Sequence, residues 1–98
     1  MVDVYAEKDG NIFTLTSKGH ATGSEDVCAG VSAIVYALAG WVNNYASDNV
    51  VIELESGDAR IVFSGGSEAE AAFDMAVIGL KQIELGHKKS VSVRFDEL

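Results

Sequence analysis

Along this chain the hydrophobic period switches from two to about 3.6 residues and back, and then does so again. Val2, Val4 and Ala6 alternate with Asp3, Tyr5 and Glu7, the pattern of a strand with one buried face. Asp9-Gly10 marks a hairpin turn, and Ile12 to Thr16 reads as the partner strand. Gly19 ends that strand, and 19–24 is a short loop. Ser24 to Asp26 supply candidate N-caps and acidic first-turn residues. Val27, Val31, Ile34, Leu38, Trp41 or Val42, and Tyr45 then recur at helical spacing, until Asn43-Asn44 and Ser47-Asp48-Asn49 end the helix.

The second half repeats the switch with different residues. Val50, Ile52 and Leu54 alternate with Val51, Glu53 and Glu55; Ser56-Gly57-Asp58 turns the chain; Ile61 and Phe63 oppose Arg60 and Val62. Gly65-Gly66 breaks this fourth strand and lacks the spacing and the lysine of a phosphate loop, so it reads as structural. Ser67-Glu68-Ala69-Glu70 has the form of a capping box opening a second helix to about Leu85. Ala69, Ala72, Phe73, Ala76, Leu80 and Ile83 make its buried face, with Gly86 as a stop and His87, Lys88 and Lys89 at its negative end. Val91, Val93 and Phe95 alternate in a last strand. The order is ββαββαβ, with no proline to interrupt either helix. This is a two-layer α+β domain over 1–98, a mostly antiparallel sheet packed against two helices. The order of the strands is not readable from the pattern.

The net charge is −8, which argues against nucleic acid as a direct partner, since phosphate neutralisation needs a Lys/Arg surface. An acidic surface suits a basic protein or segment, and it also serves solubility. No apolar run approaches the ~20 residues of a membrane span, and the N-terminus has no basic segment followed by an apolar one. We therefore expect a cytoplasmic protein with no membrane partner. One cysteine makes no internal disulfide, in keeping with a reducing compartment.

That cysteine is the centre of the functional reading. Gly19-His20-Ala21 is followed, eight residues after the histidine, by Cys28 in Asp26-Val27-Cys28-Ala29-Gly30-Val31-Ser32. A thiol near a helix N-terminus feels the positive end of the peptide dipoles, which favours thiolate. An imidazole within reach takes the thiol proton. Free N–H groups at the helix start supply oxyanion donors, and glycines at 19 and 23 let a peptide approach. Glu25 or Asp26 is positioned to orient His20, although capping and dipole roles suit both. The substrate and oxyanion region comprises Gly19, Ala21, Thr22, Gly23 and Ala29.

Blander readings stand beside these. A lone cysteine on an apolar helix is usually a small core residue, and a loop histidine is usually solvated. Ser32, one turn beyond Cys28, suits a hydrogen bond to the helix backbone more than a place near the site, and Ser17 and Thr22, able to bond a peptide substrate, more often face water. Trp41 and Tyr45 suit core or interface packing. His20, Cys28, His87 and a carboxylate lack the paired spacing of a zinc site, so no metal and no cofactor are expected.

Gly19-His20-Ala21, the acid shortly before the cysteine, and Cys28-Ala29-Gly30-Val31-Ser32 at a helix start together resemble the ribosomal-processing cysteine protease (Prp) family. The resemblance runs over nearly the whole chain. It implies His20 as general base and Cys28 as nucleophile. It implies a homodimer that removes a short N-terminal extension from a large-subunit ribosomal protein. Relatives in phages make a phage head protein the other implied substrate. The family pattern is Asp, two aliphatics, then Cys; here Glu25 lies three residues before Cys28 and Asp26 two, so either is the match. The loop from His20 to Cys28 is shorter than is usual in the family. A non-catalytic peptide-binding or dimerisation module on the same fold is the alternative.

Overall fold

The computed structural model describes residues 1–21 and 24–98. Its elements are β1 (Val2–Asp9), β2 (Ile12–Lys18), α1 (Glu25–Tyr45), β3 (Asp48–Glu55), β4 (Asp58–Ser64), α2 (Ser67–Gly86) and β5 (Val91–Glu97). They form one five-stranded sheet in the order β3-β4-β2-β1-β5. Every pairing is antiparallel except that of β1 with β5, which is parallel. The ββαββαβ order and the mixed, mostly antiparallel sheet are as the periodicity predicts.

Register puts one set of side chains under the helices. Ala6 faces Leu15 across β1 and β2, Leu15 faces Ile61 across β2 and β4, and Phe13 faces Phe63. These five are buried, as period-two alternation requires of a one-sided sheet. Phe13 lies 5.4 Å from both Phe63 and Phe73, ring centroid to centroid, so an aromatic cluster joins the sheet to α2. The helices cross through reciprocal small-residue contacts. Ile83 of α2 lies against Gly30, with Cδ1 3.3 Å from where a Cβ would stand; Ile34 of α1 lies against Gly79 at 3.0 Å.

The buried stripe of α1 is Val27, Val31, Val35, Leu38, Ala39 and Val42. It is rotated from the expected one: Ile34 and Trp41 are half-buried and Tyr45 is exposed. Alanine and valine fill the central stripe because the helix lies close on the sheet, and the bulkier side chains flank it. α1 has the length and hydropathy of a membrane span, contrary to the expectation of no such run. The stripe packed into the core accounts for much of that hydropathy.

Three further details correct the sequence reading. The capping box does not form: Gly66 is the N-cap of α2, and the Glu70 carboxylate instead accepts from Lys8. Lys8 occupies a core-facing position of β1 and is buried, paired with Asp74 at 2.6 Å and Glu70 at 3.0 Å. Hydrogen bonding to Asp74, then to Glu70, holds its ammonium above the usual lysine range, against the opposing effect of burial. Finally, β3 is almost wholly exposed, with only Ile52 half-buried, because it is an edge strand beyond the reach of most of the helical layer.

The opposite face of the sheet is polar. Arg94 stacks over the Tyr5 ring at 4.5 Å, and the Tyr5 hydroxyl lies within hydrogen-bond reach of Glu7 (2.8 Å) and Asp96 (3.2 Å). Hydrogen bonding to Glu7 foremost raises the phenol above its ordinary range.

Candidate active site

Cys28 is the fourth residue of α1, directly after Glu25, Asp26 and Val27, the first-turn residues whose N–H groups lack intrahelical acceptors. Ser24 is the N-cap residue; its side chain makes no capping bond, but its carbonyl accepts the Cys28 N–H at 3.2 Å. The thiol is half-buried. The Ala21 N–H donates to the Cys28 Sγ at 3.2 Å, and the thiol lies 3.8 Å from the Ala21 carbonyl. Ala21, expected in the oxyanion region, thus directs its N–H at the sulfur.

His20 follows the end of β2. Gly19, at φ +96°, turns the chain there. The backbone is held from both sides: the Met1 N–H donates to the His20 carbonyl at 3.0 Å, and the Gly19 N–H to the Gly57 carbonyl at 2.9 Å. The first continues the β1–β2 register two residues beyond Lys18, and the second continues the β2–β4 register one residue beyond it. The imidazole is exposed and rests against Gly57 in the β3–β4 turn.

His20 and Cys28 line one cavity of about 300 Å³, together with Gly19. Their side chains are not hydrogen-bonded to each other, and the Cys28 sulfur contacts the Ala21 backbone instead. Glu25 and Asp26 are exposed in the first turn of α1 and are not among the residues lining the cavity. Glu55 and Asp58, from either side of the β3–β4 turn, reach its edge, but their register places them on the opposite face of the sheet, where they line a second cavity with Lys18 and Arg60. Ala29 is exposed and lies outside the cavity, and Thr22 and Gly23 lie outside the described residues.

Two hydroxyls depart from expectation. Ser17 is buried on the helix-facing side of β2 and lines the cavity instead of facing water. Ser32 lines it too, and makes no hydrogen bond to the helix backbone among the described residues. Tyr36, Leu54 and Gly57 complete the wall and were not picked out as site residues from the sequence. Tyr36 had a signal, being two helical turns beyond Cys28 on the same face. Leu54 and Gly57 had none without knowing that β4 pairs with β2. Elsewhere, His87 caps α2, its N–H donating to the Glu84 carbonyl at 3.0 Å. Among the described residues no His, Cys, Asp and Glu side chains converge as a metal site.

A thiol presented at a helix start, with an imidazole in the same cavity, is the arrangement of a thiol hydrolase. The chain belongs to the cysteine protease Prp family, whose model matches residues 1–92. The fold is similar to that of the essential ribosomal processing protease Prp from S. aureus. With a covalently linked product peptide bound, that structure matches at TM-score 0.81 and 22% identity, covering 97% of this chain and 99% of that one. With a substrate peptide bound, it matches at TM-score 0.79 and 20% identity, with the same coverage. The crystal structure of SMU.848 from Streptococcus mutans matches at TM-score 0.77 and 14% identity, covering 100% of this chain and 96% of the other. No match was found among curated proteins.

Proposed function

We propose that this protein is an endopeptidase in which Cys28 is the nucleophile and His20 the general base. The observation that carries the reading is the shared cavity: Cys28 of α1 and His20 of the loop after β2 both line it, with an N–H already on the sulfur. His20 takes the thiol proton as sulfur attacks the peptide carbonyl. Free N–H groups of the first turn of α1 stabilise the oxyanion. Collapse of the tetrahedral adduct breaks the C–N bond, and the proton on His20 passes to the leaving amine. Water, activated by the same imidazole, hydrolyses the thioester and restores the thiol.

The substrate is an N-terminal segment of a basic ribosomal protein. The net charge of −8 suits a basic segment as substrate. The S. aureus relative named as a ribosomal processing protease supports the same substrate class. The protein acts as a homodimer. An apolar groove of about 780 Å³ between the outer faces of α1 and α2, lined by Ile34, Trp41 and Met75 among others, supports self-association.

The test is the pH dependence of Cys28 alkylation by iodoacetamide in wild type and His20→Ala. Alkylation at neutral pH faster than that of a free cysteine, and slowed by loss of His20, is expected. A thiol titrating as free cysteine in both proteins would put a peptide-binding module in place of a peptidase.

A further inference from the structure

The β3–β4 turn touches the general base more closely than any hairpin tip needs to. Gly57 has φ +72°, a conformation that side chains disfavour. A Cβ placed there would collide with the His20 Nε2 and would come within 2.9 Å of Cε1 and 3.1 Å of Cδ2. The tip of the ring, led by Nε2, is therefore the part that meets the turn. On the backbone, the Gly57 carbonyl accepts the N–H of Gly19, the residue before His20, at 2.9 Å.

We propose that Gly57 is a positioning residue for His20: its carbonyl anchors the chain beside the histidine, and its missing side chain is the space in which the imidazole sits. The proposal rests on the reading of His20 as the base. Its functional content is that the reactivity of Cys28 depends on a turn that follows α1 and β3 in sequence. The Gly10 turn, which links β1 to β2, supplies an internal comparison. Gly10 has φ +60°, yet a Cβ there meets nothing within 4 Å. Alanine at 10 therefore reports backbone strain alone, and alanine at 57 reports the same strain plus a displaced imidazole. Asparagine, which visits positive φ more readily, relieves the strain but keeps the Cβ.

Gly57→Ala, Gly57→Asn, Gly10→Ala and His20→Ala are compared by melting temperature, by Cys28 alkylation rate across pH, and by the imidazole C–H resonances. The chain has two histidines, so His87→Gln assigns the spectrum. Gly57→Asn is expected to melt nearer to wild type than Gly57→Ala. Both should still lower alkylation at neutral pH about tenfold towards the His20→Ala rate and shift the His20 resonance. Gly10→Ala should lose melting temperature and change neither the profile nor the resonance. If Gly57→Asn restores the wild-type profile and resonance, Gly57 serves only its own backbone and the proposal fails while the base stands. If His20→Ala alkylates like wild type, the base reading fails and takes the positioning role with it.

Discussion

The backbone N–H of Ala21 points at the sulfur of Cys28 from 3.2 Å. The donor lies next to His20 in sequence, so the loop that carries the imidazole also holds the sulfur. Sulfur is thereby addressed by the helix terminus and by this N–H before any substrate arrives.

Cys28→Ala is expected to lower peptide cleavage at least about 10³-fold, because no other thiol exists to take its place. The fold should survive, since the thiol is only half-buried and alanine suits a helix. Cleavage of a peptide from the N-terminal extension of a ribosomal protein, alongside a thermal melt, checks both halves. Undiminished cleavage would remove Cys28 from the mechanism.

His20→Ala should also stop turnover, but through the proton and not the bond. Its kcat should fall about 10²- to 10⁴-fold, with a smaller change in KM, as loss of a general base does. A rise in KM at constant kcat would instead assign His20 to peptide binding.

Lys8→Met tests the ion pairs that replaced the expected capping box. Methionine keeps the apolar stem and removes the charge between Asp74 and Glu70. Both carboxylates remain partly solvated, so the loss should be modest, about 1–2 kcal/mol in urea unfolding. The folded pKa of Lys8 is raised above its unfolded value of about 10.5. Its contribution is therefore complete below 10.5 and disappears as pH rises through the folded value. The gap in urea midpoint between wild type and Lys8→Met should be constant near neutrality and close only in that alkaline range.

Gly79→Ala should destabilise by about 1 kcal/mol, although alanine is the better helix former. The Ile34 Cδ1 stands 3.0 Å from the new methyl, while its Cγ1 is at 3.7 Å, an ordinary contact. Ile34→Val deletes Cδ1. In that background the same Gly79→Ala change should be stabilising. A double-mutant cycle that is additive would show that the helices do not meet through this pair.

Much of the fold was legible because its signals are local. Alternation in 2–7, 12–16 and 91–95 marks strands, and the pairing of Ile61 with Phe63 on one face holds in the sheet. What failed depended on neighbours distant in sequence. The stripe of α1 was drawn through Ile34 and Tyr45 because large side chains weigh most in a hydrophobic pattern, yet close packing on a sheet selects Val35 and Ala39. Ser67 and Glu70 have the capping-box spacing, but Lys8 arrives from β1 and takes the carboxylate. At the site, Cys28 and His20 were visible because they are close in sequence. Glu55, Gly57 and Asp58 were read only as turn or strand because the β2–β4 pairing that delivers them leaves no trace in spacing.

The parallel pairing of β1 with β5 joins the second residue to the ninety-first. Until residues 91–97 have emerged from the ribosome, β1 has an open flank, and Val91 is missing from the core. The Met1 contact to His20 belongs to the same N-terminal segment, so the geometry around the base settles only after the last strand docks. The site's geometry thus depends on a strand pairing between residues some ninety positions apart, so a change that loosens β5 should be felt at His20 before it is felt at the helices.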